Sequence, residues 1–211
     1  MNRCIAEKNK FLNAYKRYHG NFGQYVEGAL GEILGLIPVD NFECYQETPD
    51  NAVIFAMTGT DGCHYCMTEE NSTISIYAVF PNMGHGRSVY LIGHSIDEVL
   101  SYALSIYGLF ECVFDYEKDQ FIQIVEEVGH ENLSRFNDER FKSDLRDLSD
   151  VYSISKFSPS DVYCFLRYNC VANINKNGEK RKRVQRGALG KTPMHHPQLF
   201  LANTPFSQGR V

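Results

Sequence analysis

No apolar run in this 211-residue chain approaches the roughly 20 residues that a membrane-crossing helix needs, so no transmembrane span is expected. The opening stretch, MNRCIAEKNKFLNAYKRYHG, is charged throughout and lacks the apolar centre of a secretory signal, which points to the cytoplasm. Seven cysteines, an odd number scattered irregularly from Cys4 to Cys170, do not make a disulfide framework. They fit reduced thiols serving mostly as small buried hydrophobes. Nucleotide-binding glycine fingerprints, a nucleophile elbow and an HExxH-type metal motif are all missing. These absences leave no named catalytic chemistry and no expected cofactor.

What is present is a core-forming composition. Hydrophobic residues make up 43% and aromatic residues 13%, enough to pack one sizeable domain and to argue against global disorder. Charge is unevenly divided. From Lys176 onward eight Lys or Arg stand against one acid, Glu179, a balance of +7; the overall −5 then leaves −12 for residues 1–175. The acidic body disfavours nucleic acid and favours a basic partner. The segment 176–211, turn-rich with little periodicity, reads as a basic, poorly ordered tail.

Hydrophobic spacing places the elements. Phe11, Leu12, Tyr15 and Tyr18 mark an amphipathic helix over 5–18, and a short glycine-weakened helix follows at 26–36. The proline-bearing stretch 37–51 reads as irregular chain. Four strands come next, at 52–57, 63–68, 74–80 and 88–93, joined by short turns as in an antiparallel meander. Ser95 followed by Glu98 is a capping-box pattern opening a helix that ends at Gly108. Further helices are expected from Asp119 to Val128 with Gly129 as the stop, over 138–149, and from the Ser158-Pro159-Ser160-Asp161 cap to about Asn169. Strands in the middle with helices on either side give an α+β domain: a mainly antiparallel, twisted sheet of about four to six strands flanked by helices.

One stretch invites a chemical reading. Gly59-Thr60-Asp61-Gly62-Cys63-His64-Tyr65-Cys66-Met67 holds a C-x-x-C pair around a histidine. On a strand, residues three apart point to opposite faces, so the two thiols diverge from any shared zinc ion or disulfide. Gly59 and Gly62 permit positive φ and Asp61 suits the turn between them, so the stretch reads as a turn and a strand. Asp61, His64, His85 and His94 all fall near the sheet and could converge as an acid/base or metal cluster, making a small metal-dependent hydrolase the rival reading.

The sequence FAMTGTDGCHY, residues 55–65, resembles the strand–turn–strand phrase of the SUKH superfamily, which includes bacterial toxin-immunity proteins and fungal cell-wall assembly regulators. The similarity continues through strands 76–80 and 89–92, through SIDEVL at 95–100, and to Tyr107-Gly108-Leu109-Phe110. Thr60 stands at the turn's usual second glycine and Val99 at a usual phenylalanine. The resemblance implies a non-enzymatic scaffold that binds another protein, in bacteria a toxin, often a nuclease. The exposed acids Glu69, Glu70, Asp97 and Glu98 are candidate contacts for such a basic toxin domain. A regulatory scaffold without a toxin partner is the other non-enzymatic alternative.

Overall fold

The computed structural model describes residues 3–19, 29–41, 45–59, 62–81 and 88–174. The chain divides into Met1–Gly178 and Glu179–Val211, and all described residues belong to the first unit. The expected tail at 176–211 lies outside them.

Five strands form one sheet in chain order: β1 (Ile37–Pro38), β2 (Val53–Met57), β3 (His64–Glu70), β4 (Thr73–Val79) and β5 (Val89–Gly93), every neighbouring pair antiparallel. Four of these match the strands expected from sequence. The fifth, β1, is only two residues long and contains Pro38, a residue that removes a ladder donor and is tolerated at an edge. Asn71 and Ser72 connect β3 to β4, both with positive φ, 49° and 63°. That is a two-residue hairpin loop whose twist matches the strands it joins.

Helices cover one face of the sheet. α1 (Arg3–His19) lays Phe11 edge-on against Phe55 of β2, ring centres 5.3 Å apart at 89°. α2 (Ala29–Leu34) and α3 (Ile96–Ile106) adjoin each other, and α4 (Phe110–Asp115), α5 (Lys118–Glu131), α6 (Leu133–Asn137), α7 (Glu139–Val151) and α8 (Pro159–Ile174) are the other helices among the described residues. One continuous core joins Phe55, Tyr65, Met67, Ile76 and Ile92 of the strands to Leu100, Phe110, Phe121, Leu148 and Leu166 of the helices. A register shift between Ile54 and Ala56 places Phe55 and Ala56 both in this core, where strict alternation allows only one. The opposite face carries a small separate cluster of Ile54, Cys66 and Val79. α8 packs along β5, covering an edge strand that would otherwise offer a pairing template.

One shifted boundary and two unexpected short helices have physical causes. α5 runs through Gly129 to Glu131. Gly129 is a slot inside the helix, where an added Cβ would lie 2.9 Å from the Tyr107 ring. α4 and α6, of six and five residues, escape a periodicity reading because neither completes two turns.

Candidate protein-interaction surface

The turn between β2 and β3 holds the sequence's most conspicuous motif. Gly59 and Gly62 adopt φ of 88° and 75°, left-handed values that favour glycine. The Thr58 N–H donates to the Cys63 carbonyl at 3.1 Å to close the turn, and the Tyr45 ring packs so tightly on Gly62 that a Cβ would lie 2.6 Å from it. Cys63 packs, half-buried, against the main core, whereas Cys66 sits in the cluster on the opposite face. The thiols therefore face apart, as strand alternation requires.

His64 is fully buried beside this turn, with Tyr45 stacked on its ring. Nδ1 lies 2.7 Å from the Gly62 carbonyl, which can only accept, so Nδ1 carries the proton. Nε2 then accepts from the Thr48 hydroxyl at 3.0 Å, and that oxygen accepts the Tyr45 N–H at 3.0 Å. Both ring nitrogens are engaged with the neutral ring. Burial pushes the His64 pKa down, against smaller upward effects of the Gly62 bond and Glu47. His94 is exposed at the other end of the sheet, where its Nδ1 lies 3.1 Å from the Ile74 carbonyl. The other two members of the tetrad, Asp61 and His85, lie outside the described residues. Among the described residues, no three His, Cys, Asp or Glu side chains are grouped to hold a metal ion.

The four acids singled out from sequence share one end of the sheet, where β3 and β5 finish and β4 begins. Three of them have internal work. Glu69 accepts the Arg3 N–H at the start of α1, at 3.3 Å, while the Arg3 guanidinium donates to Ser72 O. Glu98 accepts the His94 N–H at 2.6 Å, one residue before the N-cap, and donates its own N–H to Ser95 Oγ at 3.2 Å. The capping box thus forms with its return bond displaced by one residue. Asp97 accepts the Ser153 N–H at 2.6 Å. Glu70 is exposed on the hairpin.

Asp97 belongs to a pattern that periodicity alone hides. Ser101 and Ser105 follow it at four-residue intervals on α3, both buried. Ser101 Oγ accepts the Ser155 N–H at 3.0 Å and Ser105 Oγ accepts the Phe157 N–H at 2.8 Å. Each serine donates its own proton to the carbonyl four residues back, at 2.6 and 2.7 Å. A polar stripe on α3 therefore holds alternate N–H groups of the extended segment 153–158, as a neighbouring strand would.

A larger acidic surface lies elsewhere. From Glu111 to Glu131, along α4 and α5, seven acids face one lysine, Lys118, and all seven are exposed. The Glu111 pKa is raised, first by partial desolvation and then by the neighbouring Asp115 charge. A local charge count would have revealed this stretch, whereas the whole-body balance of −12 spreads it over 175 residues.

Beside α5 opens a groove of about 290 Å³. Tyr107, Val125, Leu133 and Pro159 line it together with the charged or titratable Glu126, His130 and Lys156. Tyr107 is the C-cap of α3 with φ 54°, a left-handed conformation that costs a non-glycine residue about 1 kcal/mol. Its ring is held by the Gly129 slot and by stacking on Phe136 at 4.8 Å. In the sequence this residue is marked only by the Tyr107-Gly108-Leu109-Phe110 phrase after a helix. No family model, curated protein or solved structure matches the chain.

Proposed function

We propose that the chain is a non-enzymatic protein-binding module of the SUKH type: an immunity protein of a polymorphic-toxin or contact-inhibition system that neutralises a nuclease-type toxin by covering its basic active site. The observation that carries this reading is the exposed face of α4 and α5, seven acids against one lysine. A nuclease must attract a polyanion, so its active site is basic, and an acidic face complements it in sign. The antiparallel sheet with helices on one face agrees with the scaffold that the motif at residues 55–65 implies. His64, the buried histidine of that motif, has both ring nitrogens committed to the fold.

The acids at the sheet end contribute less to this surface, because Glu69, Glu98 and Asp97 already accept main-chain N–H groups. The reading requires a toxin domain in the neighbouring reading frame, and the test is association with the purified product of that frame. Reversing Asp115, Asp119 and Glu127 to lysine should slow association about tenfold or more, and reversing Glu69 and Glu70 should change it about twofold or less. An association rate unmoved by the first set defeats the reading.

A further inference from the structure

The groove over Tyr107 has features that the charge of α4 and α5 does not explain. We propose that it is a docking pocket for a short segment of the protein partner, in which one aromatic or branched aliphatic side chain is flanked by Lys or Arg. The inference rests on the binding-module reading and specifies the partner's contact.

Size selects the occupant. A cavity of about 150 Å³ accommodates benzene. The groove, at about 290 Å³, takes one ring-sized side chain with part of its backbone and is small for a nucleotide or larger cofactor. The aromatic lining is preformed. Tyr107 is fixed by its left-handed backbone, by the Gly129 slot and by Phe136, so an incoming side chain meets a rigid aromatic surface with little ordering cost. Leu133 adds an apolar wall, 52% exposed, from a helix in which no residue is buried. That leucine contributes little to the core.

Charge selects the flanks. Glu126 lines the groove, and α5 continues the acidic face on either side of it. Lys156, whose ammonium lies 5.9 Å from the centre of the Tyr107 ring, and His130 also line the groove, and the basic flank is favoured because the α5 acids Glu126, Glu127 and Glu131 outnumber that one lysine. An apolar anchor between Leu133 and Pro159 with a basic neighbour beside Glu126 satisfies both the apolar and the charged lining.

The test uses the full chain, labelled with nitrogen-15, and two tetrapeptides, Ac-Arg-Phe-Leu-Arg-NH2 and Ac-Glu-Phe-Leu-Glu-NH2. Saturable shifts of the Tyr107, Gly129 and Leu133 amides are expected with the basic peptide, at an affinity about tenfold or more above that of the acidic one. Glu126→Lys should abolish the preference. Leu133→Ser, at an exposed position where the fold is retained, should weaken binding about fivefold. Equal affinity for the two peptides, shifts that never saturate, or indifference to both variants overturns the docking site. If the peptides fail while reversal of Asp115, Asp119 and Glu127 still slows toxin association, only the groove assignment falls. If that reversal has no effect, the binding-module reading falls with it.

Discussion

Gly108 shows how much of the fold can depend on a missing atom. Gly35, with φ 59°, and Gly108, with φ 74°, follow α2 and α3 and pack backbone against backbone. A Cβ on Gly108 would lie 2.5 Å from the Leu34 carbonyl group and 2.6 Å from Gly35 N, atoms that no rotamer change can move. Gly108→Ala combines left-handed strain with this clash and should cost about 3 kcal/mol or more, a Tm loss of about 10 °C by calorimetry. Gly31→Ala is the contrasting control. Its nearest neighbour would be 3.8 Å away and its φ is not positive, so about 0.5 kcal/mol of stabilisation is expected. His64 supplies a pH signature. Its folded pKa lies below the ordinary 6.5, so the native state holds fewer protons than the unfolded chain as pH falls past that value. The neutral ring's contribution is complete above about pH 6.5 and is lost as pH falls toward the depressed folded pKa. Urea unfolding across pH 4 to 8 should show this acid slope, flattened in His64→Leu. That variant should also lose about 2 kcal/mol at pH 8, since the Thr48 hydroxyl and Gly62 carbonyl forfeit a buried partner.

Among the elements, α3 has two jobs. One side is core, with Val99, Leu100, Ala103 and Ile106, and that side was legible from apolar spacing and the Ser95–Glu98 cap. The other is the stripe of Asp97, Ser101 and Ser105 that binds segment 153–158. The stripe was not legible, because two serines and an aspartate at four-residue intervals look like an ordinary solvated face until their partners are known. Ser101→Ala and Ser105→Ala should each cost about 1–2 kcal/mol by leaving a main-chain N–H without its acceptor. Amide hydrogen exchange should quicken selectively at residue 155 in the first variant and at residue 157 in the second; unchanged protection at both positions would deny the stripe its role. The strands were legible for a related reason in reverse. β2 to β5 are bounded by turn residues and rich in β-branched and aromatic side chains, local signals that need no partner to be read. β1 depends wholly on its neighbour: two residues, one of them proline, become a strand by pairing with Ala56 and Met57.

For the whole molecule, the ruling quantity is the distribution of charge and not its sum. The acidic balance of residues 1–175 suggests a basic partner, and the resemblance at residues 55–65 directs attention to Glu69, Glu70, Asp97 and Glu98. Three of those carboxylates serve the fold, while the denser exposed acids follow the motif region on α4 and α5. Nearness to a turn-and-cap stretch does not mark a contact surface, since carboxylates there are drawn into bonding turns and helix starts. Groups that bind by charge need only be exposed, which residue spacing does not record. The most direct measurement is the association rate of the purified chain with the nuclease domain encoded by the neighbouring reading frame that the proposal requires, followed from low to high salt. Steering by the acidic face predicts fast association that falls about tenfold or more between about 0.05 and 0.5 M salt. A rate indifferent to salt, or no complex with that domain, contradicts the account.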